Sequence, residues 1–362
     1  LSVQIHEIAA QFRLDGSVLS AAPTGNGHIN DTYAVVCECG RTYILQKINS
    51  YVFKNPPAVI ENIRRVTEHL RTRIQESGGD PLRETLTLVP TLAGDYSYQD
   101  ADGETWRVFL PIEGARTYER AENLDQVYQA ARAFGKFQGL LSGFPSESLH
   151  ETIPYFHHTP RRFEAFLSAV RADAHGRAAS VRPEIDFILS REAETRVLVD
   201  QIESGALPLR VTHNDTKLNN VMIDDRTGAG ICVIDLDTVM PGTVLYDFGD
   251  MVRSGAALSA EDEPDSTKAG VSLAVFERLA QGYLETARGF LTPAEIEGLA
   301  FSARLITLEQ AIRFLGDYLN GDVYYKIHRP AQNLDRARVQ LRMVQDMEEN
   351  FEEMRAMVNR EK

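Results

Sequence analysis

Cysteine is scarce in this chain: Cys37, Cys39 and Cys232 are the only three among 362 residues. An odd, sparse set makes no disulfide framework. Cys37 and Cys39 have no second ligand pair at zinc-finger spacing, so all three are expected to be structural thiols. Long apolar runs are missing too, and nothing approaches the roughly 18 consecutive apolar residues of a membrane span. The opening stretch, Leu1 to Glu7, has no basic segment followed by an apolar core, so no signal peptide is expected there. Positive charge is in deficit, with 38 Lys and Arg against 52 Asp and Glu and a net charge of −14. That field opposes broad binding to nucleic acid or to anionic membranes. It leaves room for phosphate, which needs only a local pocket of donors. Internal repeats and low-complexity tracts are also absent. Together these absences point to a cytoplasmic globular protein, long enough for two domains.

What is present falls into two halves. A short helix is expected over residues 3–12. The loop from Thr24 to Asp31 opens into a β-rich run from Thr32, and a turn at Gly40 returns the chain through a second run, Arg41 to Ile48. Pro56 and Pro57 precede a helix over 58–76, with Val59, Ile63, Val66 and Leu70 on one face. Further strands are expected at 86–90 and 105–112. The remainder reads as mainly helical: 123–142, 160–172, 183–203, 271–288, 293–319 and 333–358, around a β-rich insert at 208–239. The expected class is α+β, with a small N-terminal lobe over 1–111 and a larger, mainly helical lobe over 112–362.

The chemistry concentrates in the insert. An apolar strand after Leu209 runs into a polar knot containing His213, Asp215, Lys217, Asn219 and Asn220, then back into an apolar strand. A strand core tolerates such residues only when they are paired or functional. A second strand follows and ends in Asp235 and Asp237, with a turn signal at 224–228 between the two. Phosphoryl transfer needs a carboxylate to orient the attacking hydroxyl and accept its proton, and oxygen ligands to hold Mg²⁺ against the phosphates. His213-x-Asp215-x₄-Asn220 has the spacing of a kinase catalytic loop, and Asp235 stands where a later metal-binding Asp is expected. Asp237 is the alternative for that role. His213 is expected to brace the loop, and so is Asp247 in the Asp247-Phe248-Gly249 run.

These segments resemble the phosphotransferase family of aminoglycoside, choline and homoserine kinases. Thr24 to Tyr33, Tyr43 to Asn49, Arg210 to Asn220, Ile234 to Gly242, Asp247 to Asp250 and Arg313 to Asp322 are most similar to the N-acetylhexosamine 1-kinases within it. The resemblance implies a bilobal protein-kinase-like fold, ATP as co-substrate with Mg²⁺, and a small sugar as the other partner. It puts Asp215 at the catalytic base and Asn220 and Asp235 at the metal ligands. Gly25 and Gly27 fall in the phosphate-covering loop, and Pro111, Ile112 and Glu113 in the connection that reads adenine. His28, Asn214, Arg253, Arg313 and Tyr324 fall at positions facing the sugar. The run Tyr43 to Lys47 departs from the family pattern: by strand alternation only one of Gln46 and Lys47 faces the nucleotide. Glu61 and Glu68 are the candidates for the partner acid on the helix. Another hydroxylated substrate on the same fold, such as an aminoglycoside, choline or a different sugar, is the main alternative. A non-catalytic nucleotide-binding protein is the lesser one.

Overall fold

A computed structural model of the chain describes residues 2–25 and 29–360. In chain order the first elements are α1 (Ser2–Ala9), β1 (Val18–Pro23), β2 (Asp31–Cys37), β3 (Thr42–Lys47), α2 (Pro56–Glu76), α3 (Pro81–Glu84), β4 (Leu88–Val89), β5 (Tyr98–Gln99), β6 (Thr105–Phe109) and β7 (Ala115–Arg116). Then come α4 (Leu124–Leu140), α5 (Thr159–Ala172), α6 (Arg182–Leu189), α7 (Val197–Glu203), β8 (Arg210–Thr212), β9 (Val221–Asp224), β10 (Gly230–Val233) and β11 (Met240–Gly242). Five helices finish the chain: α8 (Val244–Gly255), α9 (Leu273–Ala287), α10 (Pro293–Leu319), α11 (Gln332–Glu349) and α12 (Phe351–Arg360).

The chain folds into two compact units that interleave along the sequence. The first takes residues 1–117, 143–154 and 221–241, and the second takes 118–142, 155–220 and 242–362.

In the first unit β1-β2-β3-β6-β4 form an antiparallel sheet, with β5 also paired to β6. Ile5, Ile8, Phe12, Val35, Tyr43, Leu45, Trp106 and Val108 form its core. Asn55 caps α2 through Ala58 N, and Pro56 and Pro57 occupy the first turn, where no N–H is needed. Strand β1, at 18–23, was not anticipated: its burial repeats every three residues rather than alternating, and Leu19 is exposed. Every residue of β6 is buried, including Arg107. A smaller sheet joins β10, β9 and β7.

The second unit is helical around Phe163, Phe166, Ile185, Ile188, Ile312, Leu315, Leu334 and Leu341. The expected helix at 183–203 is interrupted: α6 stops at Ser190, and Arg191 turns back to donate to the Phe187 carbonyl. The expected helix at 333–358 is split at Asn350, whose Nδ2 donates to the Asp346 carbonyl and ends α11. Helix α10 begins with a capping box of Thr292 and Glu295 and runs unbroken to Leu319. Helix α8 falls in a stretch where the sequence signalled none. No helix among the described residues is long and apolar enough to cross a membrane.

Helices α4 and α9 approach closely because small residues face each other. A Cβ placed on Gly282 would collide with the Tyr128 carbonyl oxygen, and one on Gly135 with Thr286 Oγ1 and the Tyr283 carbonyl. Backbone cannot yield as a side chain can, so Gly282→Ala should cost about 1–3 kcal/mol through overpacking. Urea unfolding of the variant against wild type checks this; an unchanged or raised midpoint would contradict the close approach.

Candidate active site

The polar loop after β8 is built within the second unit. Asn214 has φ of +65°, a left-handed conformation that Asn tolerates better than most residues. Its side chain turns back on Thr212, accepting from Thr212 Oγ1 at 3.2 Å and donating to the Thr212 carbonyl at 3.3 Å. Gly242 lies against both residues, where a Cβ would collide with Thr212 Oγ1.

The loop's main chain is held from α8. Asp247, fully buried, accepts from His213 N at 2.9 Å and Asn214 N at 2.7 Å. Gln138 Nε2 donates to the same carboxylate at 2.6 Å. Burial pushes the Asp247 pKa up, while His213 and these N–H donors pull against it. Thr216 closes the hold: its N donates to Asp250 at 2.9 Å and its hydroxyl to the Asp247 carbonyl at 2.6 Å. His213 is buried edge-on between Phe134 and Phe137, and its Nδ1 accepts from Asp215 N at 3.3 Å. His213 and Asp247 are thus braces, as their positions suggested.

Asp215 is half-buried, and its Oδ1 lies 2.7 Å from Lys217 Nζ. Burial alone would lower the Lys217 pKa, but Asp215 and Asp250 raise it on balance. Asn220 Nδ2 donates to the Asp215 carbonyl at 2.8 Å and lies 3.4 Å from Asp215 Oδ2. That donation commits the amide nitrogen and leaves Oδ1 as the acceptor end. An amide oxygen and carboxylate oxygens are the hard donors that Mg²⁺ prefers, so Asn220 and Asp235 fit such an ion chemically. Asp235 stands in the first unit, just after β10, at φ of +59°. Asp237 is 2% exposed there and engages Arg107 at 2.5 Å and Asn30 Nδ2 at 2.8 Å. Those partners occupy Asp237.

The other expected contacts sort unevenly. Gly25 has φ of +76°, and Thr24 N donates to the Thr32 carbonyl. Gly27 and His28 lie outside the described residues. Gln46 faces Arg107, accepting from its Nε and Nη2 at 3.0 and 2.8 Å, whereas Lys47 pairs with exposed Asp31 at 2.9 Å. Glu61 pairs with Arg65 and His150, and Glu68 with Arg64; neither takes Lys47. Pro111 and Ile112 follow β6, and the Glu113 carbonyl accepts from Arg83 Nη2 at 3.1 Å.

In the second unit Arg253 is buried and committed to Asp250 and Glu261. Arg313 is largely desolvated, with Gln310 at 3.2 Å and the Phe156 and Tyr325 rings 5.3 and 5.8 Å away. Tyr324 is 55% exposed and meets Tyr325 edge-on.

One group had no sequence signal. His157 is buried, with Nδ1 at 2.8 Å from Glu309 and Nε2 at 3.2 Å from the Asn214 carbonyl. Both ring nitrogens face acceptors, so the imidazolium satisfies both and the neutral ring only one. Burial alone would lower the His157 pKa, but Glu309 and Asp250 raise it above the ordinary value despite Arg313. No motif surrounds His157, and Glu309 is 152 residues away.

A model of the phosphotransferase enzyme family matches residues 20–293. Solved structures share the fold at low identity. A microcompartment-associated aminopropanol kinase is 17% identical, with a TM-score of 0.65, covering 97% of this chain and 98% of its own. An amicoumacin kinase in complex with AMP-PNP and Ca²⁺ is 14% identical, with a TM-score of 0.60 and coverage of 96% and 93%. A choline kinase from Cryptosporidium parvum is 11% identical, with a TM-score of 0.58 and coverage of 99% and 98%.

A histidine whose folded pKa is raised stabilises fully below its unfolded value, about 6.5, and loses this contribution as pH rises through the folded value. The stability gap between wild type and His157→Gln should therefore be widest near pH 6 and narrow as pH climbs. Urea midpoints for both proteins between about pH 6 and pH 9 test this; a gap that widens with pH would contradict the charged assignment.

Proposed function

The chain belongs to the phosphotransferase enzyme family, and from that premise we propose that it transfers the γ-phosphoryl group of ATP to O1 of an N-acetylhexosamine, giving the sugar 1-phosphate and ADP. The segments resembling N-acetylhexosamine 1-kinases motivate the substrate. The observation that carries it over its rivals is the charge around the catalytic loop. In the second unit the carboxylates near Asp215 are already engaged: Asp247 by main-chain N–H groups, Asp250 by Arg253 and Glu309 by His157 and Thr159. Arg162 and Arg313 stand beyond them, next to Phe156, Tyr324 and Tyr325. Burial, then the neighbouring Arg313, pushes the Arg162 pKa down, which reflects guanidinium groups crowded in a dry place. Choline and aminopropanol are cations and would meet this cluster unfavourably. A neutral sugar, which needs fixed donors and aromatic faces, suits it.

In this reading Asp215 accepts the O1 proton as the sugar oxygen attacks, and Lys217 holds one carboxylate oxygen while the other faces the hydroxyl. The anomeric hydroxyl is more acidic than an ordinary alcohol, so an aspartate base suffices. Asn220 and Asp235 would hold the metal. Mg²⁺ bound with ATP supplies charge neutralisation at the β- and γ-phosphates.

Asp215→Asn should keep the fold and nucleotide binding and lose about 10²–10⁴-fold in kcat, the range of general-base catalysis. Near wild-type turnover would remove Asp215 from the role. For the substrate, NMR of the product from N-acetylglucosamine and N-acetylgalactosamine should show phosphorus coupled to H1. Phosphate on O6 would sink the sugar 1-kinase reading. So would no reaction with either sugar alongside good turnover of choline or an aminoglycoside.

A further inference from the structure

Arg107 is 1% exposed on β6 and is the largest fully buried side chain among the described residues. A buried guanidinium is a poor source of stability, because desolvation offsets most of the Coulomb gain and an apolar pair of similar volume often does as well. Its contacts suggest a different purpose. Nε and Nη2 grip Gln46 of β3, and Gln46 Nε2 donates onward to Thr32 of β2 at 3.1 Å. Nη1 lies 2.5 Å from Asp237 Oδ1. The other Asp237 oxygen accepts from Asn30, whose own Oδ1 accepts from Asn49 N at 3.0 Å. The Asp237 carbonyl accepts from Thr152 Oγ1 at 2.9 Å. All of these residues belong to the first unit.

The network joins a turn to a strand end. Asp237 lies in the short turn Leu236–Thr238, directly after Asp235 in its left-handed conformation. Asn30 directly precedes β2. An Asp at positive φ persists where its surroundings over-determine it, and Asp237 is pinned from three directions. Arg107 itself is sealed from solvent, and Lys47 is engaged with Asp31 outside this group.

We propose that Arg107 and Asp237 are positioning residues. The buried pair fixes the turn that presents Asp235 to the metal–nucleotide complex and, through Asn30, ties the start of β2 to the same turn. This inference rests on the phosphotransferase reading of Asp235. It assigns Arg107 no contact with nucleotide or substrate. It predicts that the pair sets the metal-dependent part of nucleotide affinity, because partners that orient a metal ligand govern metal affinity by about 10–100-fold.

The test is calorimetric titration of ADP with and without Mg²⁺, which needs no sugar. In wild type Mg²⁺ should tighten ADP binding. In Asp237→Asn and in Arg107→Met that enhancement should fall by about tenfold or more, with metal-free ADP affinity within about twofold. Asn30→Ala, at a half-buried site less prone to misfolding, should show a smaller loss in the same direction. The double variant Arg107→Met, Asp237→Leu replaces the ion pair with an apolar pair. It should recover the unfolding midpoint and not the Mg²⁺ enhancement. Recovery of both, or an Asn30→Ala protein with full enhancement, would overturn the proposal by showing that the network only holds the fold. A wild-type chain whose ADP binding ignores Mg²⁺ would overturn the kinase reading and the inference together, an outcome distinct from losses confined to the variants.

Discussion

The carboxylate of Asp247 organises the second unit. It is fully buried, and it receives two consecutive main-chain N–H groups, from His213 and Asn214. Without it two buried donors would be orphaned, each costing about 1–3 kcal/mol, and the left-handed turn at Asn214 would lose its template. Further contacts hold the same loop. His213 is wedged between two phenylalanines, Thr216 bonds back to α8, and Asn220 bonds to the Asp215 carbonyl.

A second layer holds the same loop from the opposite partner atom. Asp247 takes the N–H of Asn214, and His157 takes its carbonyl. The Asn214 peptide groups are thus fixed at both ends by buried side chains, one from α8 and one from the segment before α5. Glu309 keeps the imidazole oriented, and Thr159 keeps Glu309 oriented. The first unit uses a comparable device around Arg107 and Asp237. In both units the charges sit where water is excluded and where geometry matters more than net stability. That is the setting in which buried ionic groups specify a conformation.

The sequence was informative wherever chemistry and period coincide locally. The knot at 213–220 and the acidic pair at 235 and 237 are dense in polar residues beside apolar strands. Helices with clear stripes, such as 58–76 and 293–319, emerged at their observed places. Helix α8 was missed although Asp247, Asp250 and Arg253 recur at three-residue spacing: that polar stripe is buried in the fold and so does not mark a solvent-facing side. The breaks at Ser190 and Asn350 were missed because no Pro or Gly marks them. There the interruption comes from side chains returning to main-chain carbonyls, which periodicity does not report.

By itself the sequence pointed to the phosphotransferase family and to a set of candidate residues, because His213-x-Asp215-x₄-Asn220 and the later Asp235 lie close enough along the chain to be read as one pattern. The tertiary structure decided which neighbours those residues have. It set Gln46 rather than Lys47 against Arg107, occupied Asp237 with an ion pair, and brought His157 and Glu309 to the back of Asn214. It also interleaved the two units, so that residues 221–241 pack with the N-terminal sheet unit. Each of these depends on pairs separated by many tens of residues. A local pattern records what a residue is and what stands beside it in the chain. Only folding determines which distant acceptor satisfies a buried donor.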